Sequence, residues 1–335
     1  MHLTDARTRA VRLGRKGLTA AANRSRLVRL TYARIAEELR HALPDDTYGG
    51  GYFGEGRNPC DRMGLSGYER YDRHMSNADV AAYMIWRFVP GCHTLDAGCA
   101  FGFVVEALRE VEVDAEGVDV SFFAIDHASP GALGHVSQGS LLDRLPYADG
   151  TFDVVSALET LEHLPPESIP AAVLELRRVS RGYLIATIPS FGPNVNGPGG
   201  WYNGKVRDER LAFYQQLPDT YEGPVPYGDL ACDSEGNPLE GHLTIASFAW
   251  WTKQFEAAGF VRCADIERRI HPHLARFGLT KYWCLYVMRV PGVDEADADV
   301  RSPAEIDALE ERWGLNRRAN DPADFAAVEL ALGKA

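Results

Sequence analysis

An apolar run, Thr94-Leu95, ends on Asp96 and is followed at once by a glycine turn, in T-L-D-A-G-C-A-F-G-F at residues 94–103. A second apolar run ends on another acid, Asp119, within G-V-D-V-S at residues 117–121. Two strand tips of this kind suit a nucleoside ligand: glycine admits close approach of the backbone, and a carboxylate on the next strand grips ribose hydroxyls. A dinucleotide site needs G-x-G-x-x-G around its pyrophosphate. Here Gly98 is followed by Cys99, Ala100, Phe101 and Gly102, so the middle glycine is missing. Asp96 also places negative charge where a pyrophosphate would lie. A cationic nucleoside fits better, and S-adenosylmethionine, with its sulfonium, ammonium and ribose, is such a ligand.

The second constellation is E-T-L-E-H-L-P-P-E at residues 159–167. Methyl transfer from a sulfonium is an in-line displacement, so positioning supplies much of the rate. A hydroxyl acceptor must also lose its proton, which a histidine can take near neutral pH. His163 is the candidate base. Glu159 and His163 stand four residues apart and share a face if this turn is helical. The same pair can instead hold a divalent ion such as Mg2+ that acidifies the acceptor. A third role for His163, packing or acceptor binding alone, stays open. His242, in G-H-L-T, is a second candidate base or a hydrogen-bonded structural histidine. His271-Pro272-His273 lacks a third ligand nearby and reads as a loop.

With these residues in place, the chain resembles the class I S-adenosylmethionine-dependent methyltransferases. D-A-G-C-A-F-G is similar to their first motif, G-V-D-V-S to their second, and residues 139–164 to the block spanning their third and fourth strands. The likeness covers residues 75–190 well and 243–290 more loosely. It implies that Asp96, Ala97, Gly98, Cys99 and Gly102 border the methionine part of the cofactor. Asp119 takes the ribose, Val120 and Ser121 flank the adenine, and Ser140 and Leu141 close its other side. E-T-L-E-H is similar to a stretch of the ubiquinone-pathway O-methyltransferases, whose glutamate and histidine are implicated as base or metal ligands. Tyr68, Tyr71, Arg73 and His74 fall where such enzymes cover the cofactor, and Tyr71 is taken as a contact.

The elements that must position these groups alternate. Strands are expected at 92–97, 113–119, 135–138, 152–158 and 182–188, with helices at 101–111, 121–128 and 166–179 between them. That alternation implies an α/β, Rossmann-like, doubly wound and mostly parallel sheet. A helix ending in R-F, capped by Ser76 with Asp79, precedes the first strand. A helix at 244–258, closed by Gly259, and strands at 261–269 and 281–290 complete seven strands, the last pair antiparallel in the resembled fold. Residues 190–242 interrupt the pattern with seven aromatic side chains and many Gly and Pro, as a lid does. The expected organisation is a basic helical extension with a glycine-rich covering segment (1–74), the methyltransferase domain (75–290) and an acidic linker with terminal helices (291–335). The extension includes a helix at 18–41.

Charge and cysteine usage narrow the partners. Of a net −12, the first 40 residues carry ten Lys/Arg against three Asp/Glu, a local +7 that leaves −19 for the rest. An acidic body argues against a nucleic-acid acceptor, whose phosphates demand a basic footprint. The basic amino end can touch an anionic partner or membrane surface, fold onto the acidic body, or act as a transit peptide. The six cysteines form no C-x-x-C pair, which suits reduced thiols in the cytoplasm. No run of 18 apolar residues is present, so no transmembrane segment is expected. A homo-oligomer is left open.

The function expected from these residues is O-methylation of a small polar metabolite. A sugar, glycan or glycosylated natural product suits the aromatic, acid-rich 190–242 segment. A phenol or polyketide acceptor is the alternative, and a non-catalytic S-adenosylmethionine-binding regulator is the reading from another class.

Overall fold

The computed structural model describes residues 48, 53, 71–195, 213–231, 241–279 and 284–315. The expected helix at 18–41 lies outside them, as does Tyr68. Chain order runs α1 (Ala78–Phe88), β1 (His93–Ala97), α2 (Phe103–Glu110), β2 (Asp114–Asp119), α3 (Phe122–Asp126), β3 (Val136–Gln138) and β4 (Phe152–Leu158). It continues through α4 (Ile169–Val179), β5 (Ser180–Thr187), β6 (Ser190–Phe191), β7 (Ala246–Ser247) and α5 (Phe248–Ala257). β8 (Val261–Arg262), α6 (Ala264–Arg276), β9 (Leu285–Arg289) and α7 (Pro303–Arg312) follow.

Seven strands form one sheet in the order β3-β2-β1-β4-β5-β9-β8. β1 to β5 pair in parallel, while β9 runs antiparallel to both β5 and β8. The chain thus winds outward from β1 to β3, then restarts beside β1 with β4. Ligands of such sheets bind where that reversal leaves a crevice at the carboxyl ends of the strands. β6 and β7 make a separate two-stranded pair.

Alternation along the strands builds a core on each face of the sheet. Val154, Ile185, Leu285 and Val287 join the cluster containing Val105 and Leu108 of α2, Ile266 and Ile270 of α6, and Ile306 of α7. Val155, Leu184, Tyr286 and Met288, their strand neighbours, join Leu176 of α4 with Trp251 and Phe255 of α5. A smaller cluster of Phe191, Tyr214, Val225, Leu230 and Ile245 packs the described part of the 190–242 segment upon itself.

Three elements differ from expectation. The strand placed at 261–269 stops after Arg262, and α6 begins two residues later. Ile266, Ile270 and Leu274 recur every four residues and are buried together, so helical burial wins over strand pairing. His271-Pro272-His273 is therefore helical, with Pro272 inside α6, rather than a loop. Ser76 does not cap α1: Asn77, left-handed at φ 53°, is the N-cap, the Ser76 hydroxyl donates to the Arg73 carbonyl, and Asp79 accepts from Arg73. The helix expected from 244 starts at Phe248, because Ser247 caps it by accepting from the Trp250 N–H. Gly259 follows the end of α5 at φ 89°, as a left-handed C-terminal glycine should.

Candidate active site

A cavity of about 340 Å³ opens at the carboxyl ends of β1, β2 and β4. Asp96, Gly98, Cys99, Asp119, Val120, Ser140 and Leu141 line it, together with Glu159 and His163. Tyr48, Phe53, Tyr71 and Phe103 add an aromatic wall. Tyr71 meets Phe53 and Phe101 edge-on at 5.1 and 5.3 Å between ring centroids.

The turn after β1 takes its shape from glycine. Gly98 has φ 84°, and a Cβ there would stand 2.2 Å from the Thr160 hydroxyl at the tip of β4. The N–H groups of Gly98 and Cys99 donate to the Val118 carbonyl at 2.7 and 3.2 Å, which fastens the turn to β2. Ala100 is left-handed as well, at φ 46°, and its N–H donates to Asp119 Oδ2 at 2.8 Å. The other carboxylate oxygen of Asp119 accepts from the Ser121 N–H at 2.7 Å.

Asp96 is buried, and its Oδ1 accepts from the Ser156 hydroxyl at 2.7 Å. Burial pushes its carboxyl up to about 7; the Ser156 hydrogen bond opposes the rise and the Asp119 carboxylate adds to it. A cation is the ligand that recovers that cost. Burial also raises the Cys99 thiol well above its ordinary range, with Asp119 and Asp96 contributing, so this cysteine is a neutral wall and not a nucleophile.

Several residues expected at the cofactor do not line this cavity. Ala97 faces the core beside Leu95 and Val118 and does not line the cavity. Gly102 serves the start of α2, where at φ 75° a Cβ would lie 2.6 Å from that of Ala132. Ser121 does not flank the cavity: its hydroxyl accepts from the Ala124 N–H to cap α3 and donates to the Tyr48 carbonyl. Arg73 is held by Asp79 and Glu110, and neither it nor His74 lines the cavity.

At the tip of β4 the expected helical face for Glu159 and His163 is absent. Glu159 is left-handed at φ 49°, and only Leu161–His163 forms a short 3-10 turn. Both side chains reach the same cavity nonetheless. His163 Nδ1 lies 3.2 Å from the Gly241 carbonyl, and burial lowers the imidazole to about 4 against that hydrogen bond. His242 does not line the cavity. Its ring sits 5.2 Å from that of His163, and its Nε2 is 3.9 Å from Glu162 Oε1. Burial, then His163, lower the His242 imidazole well below its ordinary value.

Glu162, fully buried, is the group that sequence reasoning overlooked. Potential ligand atoms of Glu162, His163 and His242 all lie within 4.8 Å of one another, and Glu159 is not among them. The second glutamate of E-T-L-E-H was the available signal. The Glu159–His163 pair suggested for Mg2+ is thus replaced by one carboxylate and two imidazoles. Magnesium favours an octahedral shell of oxygens, so this donor set does not fit it.

Residues 95–186 match the family described as "Methyltransferase domain". A ubiquinone biosynthesis O-methyltransferase of Methylococcus capsulatus is 34% identical over 107 residues, 29% of this chain and 44% of that protein. One from Paraburkholderia xenovorans is 32% identical over 186 residues, 47% of this chain and 74% of that protein. The chain thus spans less than half of the first relative and about three quarters of the second. A solved SAM-dependent methyltransferase of Archaeoglobus fulgidus aligns at 16% identity and a TM-score of 0.39, over 75% of this chain and 90% of that one. Sheet order, glycine turn and relatives agree that this chain belongs to the class I S-adenosylmethionine-dependent methyltransferases.

Proposed function

We propose that the protein is an S-adenosylmethionine-dependent O-methyltransferase whose acceptor is a phenolic hydroxyl of a small molecule. The observation that carries this reading is a single cavity bordered both by Asp96, Gly98 and Asp119 and by Glu159 and His163. Asp119 lines the cavity with a carboxylate suited to the ribose hydroxyls, and ionised Asp96 balances the cationic end of the cofactor. Val120, Ser140 and Leu141 enclose the adenine. The cofactor supplies an electrophilic methyl carbon on a sulfonium. The acceptor oxygen would bond to that carbon as its bond to sulfur breaks, the electron pair leaving with sulfur as neutral S-adenosylhomocysteine, and His163 would take the hydroxyl proton.

Two features favour a phenol over the sugar first expected. The cavity wall provided by Tyr48, Phe53, Tyr71 and Phe103 is aromatic and suits a flat ring. A base held near 4 is also better matched to a phenol, whose pKa is about 10, than to the far less acidic hydroxyl of a sugar. The ubiquinone-biosynthesis names of the relatives support the same choice. The acid-rich part of the 190–242 segment, which motivated the sugar reading, falls mostly outside the described residues.

Magnesium has no place in this reading, because among the described residues the groups clustered with His163 are Glu162 and His242 rather than a set of oxygens. Incubation of the full chain with methyl-labelled cofactor, using catechol and a methyl glycoside as rival acceptors, tests the assignment. Label on the catechol oxygen is expected. Label on the glycoside alone would restore the sugar reading, and label only on carbon or nitrogen would defeat O-methylation altogether.

A further inference from the structure

We infer that Gly241–Thr244, where the 190–242 segment rejoins the sheet, positions His163 and selects which of its nitrogens bears the lone pair, with Thr244 as the positioning side chain. The inference rests on the reading of His163 as proton acceptor. It begins from a directional fact: His163 Nδ1 lies 3.2 Å from the Gly241 carbonyl oxygen. A carbonyl oxygen only accepts, so Nδ1 carries the proton and, in the neutral ring, Nε2 carries the lone pair. This backbone carbonyl stands where a carboxylate orients the histidine of other acid–base sites.

The same short segment grips the residues on either side of His163. The N–H groups of Leu243 and Thr244 both donate to the Glu162 carbonyl, at 2.8 and 2.9 Å. The Thr244 hydroxyl donates to the Leu164 carbonyl at 2.6 Å. Thr244 is fully buried, so no water replaces that bond without opening the structure. Gly241 reaches its position with φ 71°, a conformation that favours glycine. Four hydrogen bonds thus tie residues 162–164 to residues 241–244.

The ring is confined on its faces too. Tyr48 meets it edge-on at 5.8 Å and His242 at 5.2 Å. Among the described residues, the titratable groups near it are Tyr48 and His242, with Glu162 in the same cluster and Glu159 in the same cavity. Loss of the Thr244 tie frees the 161–164 turn, admits water to the imidazole and lets the ring rotate. The rate falls because the lone pair is no longer aimed, while the cofactor residues of β1 and β2 are untouched.

Nitrogen-15 NMR of the full chain bound to S-adenosylhomocysteine, with the His163 signals assigned by loss in His163→Gln, reads the tautomer directly. Protonated Nδ1 and bare Nε2 at pH 7 are expected; protonated Nε2 would overturn the inference. With catechol as acceptor, Thr244→Val should lower kcat about tenfold, the scale of one hydrogen bond, with cofactor KM within about twofold. In Thr244→Val the single Nδ1-protonated signal of His163 should give way to a mixture of the two tautomers. Thr244→Ser should restore both kcat and the single tautomer. A folded Thr244→Val enzyme with wild-type kcat and an unchanged tautomer would also overturn the inference. If catechol is not methylated, the acceptor assignment fails while the NMR result still decides the orientation of His163.

Discussion

The Asp119 carboxylate accepts the backbone N–H of Ala100 at 2.8 Å, so the tip of β2 holds the glycine turn that leaves β1. Ala100 pays a steric penalty at φ 46°, and a charge-assisted bond to its N–H offsets part of it. The residue proposed to meet the ribose therefore also shapes the turn proposed to border the methionine part of the cofactor. On that reading, binding of the two halves is coupled through one side chain.

Asp119→Ala is expected to weaken cofactor binding by at least roughly 1.5–3 kcal/mol, the scale of hydrogen bonds to a charged group. Calorimetry on the full chain measures it, with circular dichroism to verify the fold. Asp119→Asn keeps the shape but loses the charge and should fall between the two. Wild-type affinity in a folded Asp119→Ala protein would remove the ribose assignment.

Ser121 gives the opposite expectation. Its hydroxyl caps α3 by accepting from the Ala124 N–H at 3.0 Å, so Ser121→Ala should cost about 0.5–2 kcal/mol of stability. Cofactor affinity should stay close to wild type. A denaturant titration beside a binding titration separates the two effects. Lost affinity with unchanged stability would return Ser121 to the adenine pocket.

Cofactor affinity should depend on pH through Asp96. Burial holds its carboxyl near 7, and a bound cation stabilises the ionised form. Above pH 7 the carboxylate is already charged and affinity is flat. Below 7 binding must expel a proton, so affinity should fall by up to about tenfold per pH unit. Asp96→Asn should bind more weakly at pH 8 and lose this slope. A wild-type affinity constant from pH 6 to 8 would show that Asp96 does not sense the cation.

The strand tips were legible in the sequence because each joins an apolar run to an acid and a turn residue, a pattern with few structural solutions. The second half of the sheet was less so. Ala264–Arg276 carries charges between its apolar residues and a proline at 272, which masks the four-residue recurrence of Ile266, Ile270 and Leu274. In the site, Asp96, Asp119, Glu159 and His163 all line the cavity, whereas Ser121, placed beside the adenine by the resemblance, does not, and the helical spacing read for Glu159 and His163 is not what joins them. Ser121 is spent on a helix cap, and the left-handed Glu159 breaks the helical face on which its pairing with His163 depended. The approach of Gly241 and His242 to residue 163 comes from chain segments nearly eighty positions apart, and no local pattern encodes it.

His163→Ala should lower turnover of catechol by about 10²–10⁴-fold at saturating acceptor, the range for a positioned acid–base group, with cofactor affinity nearly unchanged. Because burial holds the wild-type imidazole near 4, it is neutral and able to accept a proton throughout pH 5–8. Wild-type kcat should therefore show no His163-dependent loss on acidification from 8 to 5 and should decline only toward 4. Lowered affinity from Asp96 appears in the cofactor KM instead, so the two carriers of pH dependence separate in the kinetics. Added magnesium should not raise the rate, since the cluster of Glu162, His163 and His242 offers one carboxylate and two imidazoles where magnesium favours oxygens. Chelator-sensitive turnover restored by magnesium would require Glu159 to swing into that cluster. A His163→Ala enzyme with nearly wild-type turnover would pass the proton to Glu159, the other titratable side chain in the cavity beside the tip of β4.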